Sequence, residues 1–295
     1  MTSYRVTKSE KVFDVFNVLL MIVIMIVTLY PLLYVLFASF SVPAQFMRFR
    51  GAVLWHPLGF SLASYEAVFQ NINIWNGYRN TIIVVVGGVA LNMVLTIIGG
   101  YVLSRQSLML RRPLTLLTMF TMYFNGGIVP MYLMVRNYGI TDSLLALILP
   151  VAINTFNLVI MRSAFEGVPE SLEEAARIDG ASQLATLVRV MVPVVLPTIA
   201  VLVLYYGVSH WNSWFNALIY LRTRSKYPLQ LILREMIIEN TSAATSSAGA
   251  ADDNALIDQT IKYASIVVAT VPILCLYPFL QRYFISGIMV GAVKG

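Results

Sequence analysis

The chain has 295 residues, of which 58% are hydrophobic and only 12% charged, and its mean hydropathy is +0.76. A soluble domain carries about 25% charged residues, so the composition excludes an ordinary water-soluble enzyme and points to an integral membrane protein. The net charge of +6 fits topology signals and anionic headgroups rather than nucleic acid, and the single cysteine, Cys275, leaves no internal disulfide and no cysteine metal cluster.

In chain order, six apolar runs reach the roughly 20 residues that a helix needs to cross hydrocarbon about 30 Å thick. They are 15–40, 78–103, 113–135, 144–163, 197–221 and 261–284, and none contains Asp or Glu. The expected fold is an all-α integral membrane protein, a single domain over 1–295 with six transmembrane helices. The first run is longer than the apolar core of a secretory signal and has no A-x-A site, so it reads as a span kinked at Pro31. Gly87-Gly88 and Gly99-Gly100 in the second run read as sites of close helix approach.

Short-loop charges orient the chain. Arg5, Lys8 and Lys11 precede span 1, and Arg105, Arg111 and Arg112 follow span 2, all on one side, taken as cytoplasmic with both termini. Trp75, Tyr78, Tyr132, Tyr220 and Tyr263 then fall near outer span ends as an aromatic belt. Two larger segments, 41–77 and 222–260, lie outside. The second, with its small-residue tract from Thr241 to Ala251, reads as a flexible exposed arm.

The polar break 164–196 lies between spans 4 and 5. Pro169 fits the first position of a helix, and Ser171-Leu172-Glu173-Glu174 matches a capping box. Leu172, Ala175, Ala176 and Ile178 recur at helical spacing, and Gly180 supplies a left-handed stop. Leu184, Leu187, Val188 and Met191 stripe a second helix that Pro193 and Pro197 terminate. On physical grounds two readings stay open: an amphipathic linker on the membrane surface, or a rigid peg for another protein.

The string Glu174-Ala175-Ala176-x-x-Asp179-Gly180-Ala181, followed by Pro193 and Pro197, resembles the coupling loop of binding-protein-dependent ABC importer permeases. The resemblance covers nearly the whole chain. His56-Pro57-Leu58-Gly59-Phe60-Ser61 and the ending Gly291-Ala292-Val293-Lys294-Gly295 are similar to the carbohydrate-uptake branch. Asn125-Gly126-Gly127-Ile128-Val129-Pro130 and the segment from Trp211 to Tyr220 are similar to permeases for complex oligosaccharides and polysaccharide fragments. The resemblance implies a permease in the bacterial cytoplasmic membrane. Its expected partners are a second, paralogous permease subunit, two cytoplasmic ATPase subunits and an extracellular solute-binding protein. Glu174, Ala175, Ala176, Asp179 and Gly180 would dock on the ATPase, and the tail after Arg282 would make a second contact. ATP and Mg would belong to those partners, with no cofactor, metal or catalytic residue on this chain.

Polar side chains inside a bilayer usually face a partner or a water-filled path. Asn92, Asn125, Asn154, Asn157, His210, Trp211, Asn212, Trp214 and Asn216 lie inside the apolar runs and form the candidate substrate path. Asparagine offers donor and acceptor to hydroxyls, and the indoles offer faces for sugar rings. The competing reading for each asparagine is interhelical hydrogen bonding. The outer basic residues Arg48, Arg50, Arg79, Arg136, Arg222, Arg224, Lys226 and Arg234 leave two readings open: charge that meets a binding protein's acidic face or lipid headgroups, or attraction of a uronate-bearing substrate. No phosphate-binding G-x-x-x-x-G-K-[ST] motif occurs, so energy would come from other subunits. An ion-coupled secondary sugar carrier is the alternative, although such carriers often use intramembrane carboxylates. A membrane enzyme lacks any H-E-x-x-H, G-x-S-x-G or intramembrane acid pair.

Overall fold

Two helices carry the longest apolar content, α1 (Lys8–Ser39) and α4 (Ile72–Ser104), and each is long enough to cross a membrane alone. The computed structural model describes residues 8–49, 51, 53–246 and 260–275, and every regular element among them is helical. Between α1 and α4 lie the short α2 (Pro43–Arg48) and α3 (Ala63–Gln70). After α4 come α5 (Arg111–Tyr123), α6 (Ile128–Asn137), α7 (Leu145–Ile148), α8 (Thr155–Glu166) and α9 (Glu170–Ile178). Then follow α10 (Gln183–Thr186), a π-helical turn Leu187–Met191, α11 (Val192–Val194), α12 (Leu196–Trp211) and α13 (Trp214–Tyr220). The last described elements are α14 (Leu229–Ser246) and α15 (Thr260–Cys275).

Among the described residues, several of the six expected spans are bent or broken helices. Run 113–135 is broken into α5 and α6 with a bend of 113°. Run 144–163 is broken between Val151 and Thr155 with a bend of 53°, and α12 meets the preceding Gln183–Val194 segment at 85°. Run 197–221 divides again at Asn212-Ser213. Among the described residues, the two single spans and three bent pairs make up to five crossings. Of the sixth run, 261–284, only the part within α15 belongs to the described residues.

The chain divides into two compact units, Met1–Asn71 with Met236–Thr270 and Ile72–Glu235 with Val271–Gly295. In the first, α1 is exposed all round from Val12 through Val27, and the helix continues through Pro31. Its far end is tied by Ser39 Oγ and Tyr65 Oη, 2.8 Å apart, and by an aromatic cluster of Tyr34, Phe46 and Tyr263. Ser64 Oγ donates to Thr260 Oγ1 at 2.7 Å.

In the second unit α4 is the central post, packed along both α8 and α12. Met93, Tyr101, Met161, Phe165, Leu187, Met191, Leu202 and Tyr206 form one buried cluster. Glycine lets the helices approach: a Cβ on Gly88 would lie 2.5 Å from His210 Nε2, and one on Gly100 would lie 2.7 Å from Met161 Cγ. The neighbouring Gly87 faces more open space, with its nearest atom 3.6 Å away. The flexible arm expected at 222–260 is corrected in its first part, while residues 247–259, with the end of the small-residue tract, lie outside the described residues. Its described part is largely the helix α14, whose Leu229, Leu231, Ile232 and Leu233 are buried, because the apolar sequence LQLILREMII packs instead of trailing into solvent.

Candidate functional site

Loop 164–196 folds as a helical peg. Pro169 is the N-cap of α9 rather than its first residue. Acidic Glu170 and Glu173 occupy the first turn and Arg177 the last, in keeping with the helix dipole. Gly180 has φ +77° and ends α9 as the sequence suggests. Ser182 caps α10, accepting from the Ala185 N–H at 3.3 Å.

The peg has two faces. Leu172, Glu174, Ala175, Ile178, Asp179 and Gly180 are exposed, Ile178 at 87%. Ala176 and Glu173 turn inward. Ala176, counted among the docking residues from sequence, is 8% exposed and therefore packs within the chain. The stripe expected on the second helix also splits, with Leu187 and Met191 buried and Leu184 and Val188 exposed, at 68% and 56%.

Glu173 was missed in the sequence. Its carboxylate pairs with Arg105, accepts from Tyr101 Oη at 3.3 Å, and lies 3.6 Å from Arg177. Arg105 follows α4 directly. A second ion-pair group joins Arg111 and Arg162 to Glu166, tying the start of α5 to the end of α8. Both groups border a cleft of about 450 Å³ between the α4–α5 loop and α9. No local signal marked it: Glu173 is an interior position of the expected capping box, whose glutamate is Glu174, and its partner Arg105 is 68 positions upstream.

The candidate path residues separate into two kinds. Asn125, Asn154 and Asn212 sit where helices break, not within continuous spans. Asn125 Oδ1 accepts from Gly127 N–H at 2.8 Å, Asn154 Oδ1 from Asn157 N–H at 3.1 Å, and Asn212 Nδ2 donates to Val208 O at 3.0 Å. Asparagine competes well for nearby backbone groups, so it marks these breaks. Asn92, Asn157, His210 and Trp211 are buried, at 1%, 5%, 3% and 8% exposure, and so face packing within this chain. Asn92 Nδ2 donates to Val151 O at 2.9 Å, and its Oδ1 lies 3.3 Å from His210 Nε2. Trp211 Nε1 is buried without a hydrogen-bond partner. Trp214 and Asn216 are half-buried on α13. One Trp214 face is covered by the Arg234 guanidinium, 4.6 Å from the ring centroid, which leaves less of the indole for a sugar than the sequence suggests.

The segment after α13 carries several charged groups, each with a partner. Arg222 Nη2 reaches Tyr132 Oη at 3.5 Å, Arg224 lies 3.4 Å from Glu235, and Lys226 is 2.9 Å from Asp142. The Asp142 carboxyl is held well below the usual carboxylate range, chiefly by the Thr223 N–H, then by the Arg222 N–H, the Thr223 hydroxyl and the Lys226 ammonium.

An all-helical chain with membrane-length apolar helices, broken spans stitched by polar side chains, and a two-faced peg defines a polytopic membrane transport component. The chain belongs to the family described as the binding-protein-dependent transport system inner membrane component, which matches residues 96–290. It is 39% identical over 265 residues to the polygalacturonan/rhamnogalacturonan transport system permease protein YtcP of Bacillus subtilis, covering 90% of this chain and 92% of that one. It is 39% identical over 290 residues to the protein LplC of the same organism, covering 98% and 97%. Among solved structures, a bacterial ABC transporter involved in the import of the acidic polysaccharide alginate matches with a TM-score of 0.85 and 31% identity, covering 96% of this chain and 100% of that one. The chain is thus a permease component of an ABC importer, and its place is the inner membrane.

Proposed function

We propose that this chain is one of two permease subunits of an ATP-driven importer for uronate-bearing oligosaccharides, delivered by an extracellular solute-binding protein. The observation that carries the reading is similarity along nearly the whole chain to permeases whose names or titles specify acidic polysaccharides, polygalacturonan/rhamnogalacturonan and alginate. The basic residues Arg222 and Arg234 support it, because cationic groups raise the local concentration of a polyanion, while Arg224 and Lys226 are paired with Glu235 and Asp142. A second alginate-importer structure is described as a complex with an alginate pentasaccharide-bound periplasmic protein. At 13% identity and a TM-score of 0.59 it supports the fold alone.

In this reading six crossings, counting the part of 261–284 beyond α15, place both termini and the 164–196 peg in the cytoplasm. The second permease is a paralogue, and two ATPase subunits sit below the pair and hold ATP and Mg. The exposed face of the peg, Glu174, Ala175, Ile178, Asp179 and Gly180 with Leu184 and Val188, docks on an ATPase; Ala176 supports that face from within. Closure of the ATPases then moves the spans between inward-open and outward-open states. Asn216, Asn212 and the uncovered part of Trp214 remain the residues offered to the solute.

The test is ATP hydrolysis and uptake by the purified complex with its binding protein, comparing an oligogalacturonate with a neutral oligosaccharide of equal length across ionic strength. The acidic sugar should be preferred, and the preference should weaken with salt as screening grows. A complex that stimulates only with the neutral sugar overturns the substrate assignment. Purification without any ATPase subunit overturns the importer assembly.

A further inference from the structure

The peg must pass its motion to the spans. The chain connects α9 directly to α8 through Gly167-Val168-Pro169 and onward to α10 through Asp179-Gly180-Ala181-Ser182. It provides no short connection to α4, the central post of the unit. What joins α9 to α4 is a set of side chains. Arg105 pairs with Glu173, stacks its guanidinium 4.6 Å from the Tyr101 ring centroid, and donates to Ser104 Oγ from Nη2 at 2.9 Å. Tyr101 Oη donates to the other Glu173 oxygen at 3.3 Å. Both carboxylate oxygens are thus claimed from the end of α4.

We propose that Arg105 is a positioning residue for transport: the Arg105–Glu173 pair is the strut through which displacement of α9 is delivered to α4. The proposal rests on the importer reading above, in which α9 docks on an ATPase subunit. Three features suit the pair to this role. It lies on the face of α9 opposite the exposed one, so a docked partner and the strut grip the helix from two sides. Its side chains are 19% and 17% exposed beside the 450 Å³ cleft, which limits the desolvation cost that full burial would impose. Arginine can stack on Tyr101 and hold the carboxylate with a fixed planar fork at once, whereas lysine offers only a point charge. Glu173 is therefore distinct in role from its neighbour Glu174, which faces outward.

The test uses the complete importer in proteoliposomes, with an oligogalacturonate and its binding protein, and reads solute moved per ATP hydrolysed. Arg105→Glu and Glu173→Arg should each lower that ratio about tenfold, within the range of coupled side-chain pairs, while the ATPase subunits still co-purify. The double swap, Arg105→Glu with Glu173→Arg, should recover most of the ratio, and Arg105→Lys should fall between. Single variants with a wild-type ratio overturn the proposal. So does a double swap no better than the singles, whether or not the ATPase subunits stay bound, because the losses would then come from each side chain separately and not from their pairing. Failure of the importer reading is separate: it appears in the wild-type complex, as ATPase subunits that never co-purify.

Discussion

Asn92 on α4 donates its amide to the carbonyl of Val151, 2.9 Å away, at the point where the fourth apolar run leaves its helix. On the other side of the same break the Asn154 N–H donates to Tyr206 Oη of α12 at 3.2 Å, and that oxygen also meets Thr96 Oγ1 of α4 at 2.8 Å. Backbone groups released at membrane depth have no water to bond, so they need protein partners. The break therefore persists because two neighbouring helices each supply one. Replacing Asn92 by Leu strips Val151 O and His210 of their partner together. A loss of about 1 kcal/mol, up to about 2, is expected from hydrogen bonds in membrane proteins. It should appear as a lower unfolding midpoint in detergent, and a variant as stable as wild type would show that the bond does not hold the break.

The glycine pairs in α4 yield a contrast within two adjacent residues. Gly88→Ala drives a methyl into the His210 ring, and that ring is already held by Asn92. Gly100→Ala drives one toward Met161 and the backbone N of Arg162, which would be 3.1 Å away. Overpacking of this kind costs about 1–3 kcal/mol. Gly87→Ala meets only Ile148 Cδ1 at 3.6 Å and gains helix propensity. Thermal unfolding should rank Gly87→Ala at or above wild type, with the other two below it.

Hydropathy alone located α1 and α4, because a continuous helix needs only a continuous apolar run. It could not locate the bends, because a run remains apolar whether or not the chain changes direction. The asparagines were the missing clue. Asn125, Asn154 and Asn212 read as polar groups within spans, yet each bonds local backbone at a break. In the peg, the Gly180 stop was legible, since turn chemistry is local, whereas the Ser182 cap was not read. The split between inward Glu173 and outward Glu174 was not legible. It depends on where the end of α4 places Arg105, a relation between distant parts of the sequence.

Asp142 links the loop after α6 to the segment after α13, and it does so in a left-handed backbone conformation, φ 55°, that Asp and Asn tolerate. Its Oδ1 accepts the N–H groups of Arg222 and Thr223, each at 3.0 Å, and its Oδ2 accepts the Thr223 hydroxyl at 2.7 Å. Since the folded carboxyl is depressed, its contribution is fully present above the unfolded value and is lost as pH falls through the folded one. Asp142→Asn keeps the backbone conformation and removes the charge. Wild type should be more stable than the variant by a constant margin from about pH 5 to 8, and the margin should shrink below about pH 4. Unfolding midpoints measured across that range check it; a margin independent of pH would mean the charge is not what the site uses.

Gly180 ends α9 with paired hydrogen bonds, its own N–H to Arg177 O at 3.1 Å and the Ala181 N–H to Ala176 O at 2.9 Å. This is the Schellman arrangement, with glycine at the left-handed position. No atom lies within 4 Å of where its Cβ would be, so size is not what selects glycine. The backbone angle selects it. Alanine at this φ costs about 1–2 kcal/mol, asparagine less because its side chain tolerates the region, and proline removes the N–H and cannot reach a positive φ at all. If the peg must keep its shape to relay motion, solute moved per ATP hydrolysed should fall in the order Gly, Asn, Ala, Pro, although asparagine is larger than alanine. Gly180→Pro should leave membrane insertion intact and abolish coupling. An order that follows side-chain volume instead would place the constraint in a contact with the docked partner, and a proline variant that transports normally would remove the peg from the mechanism.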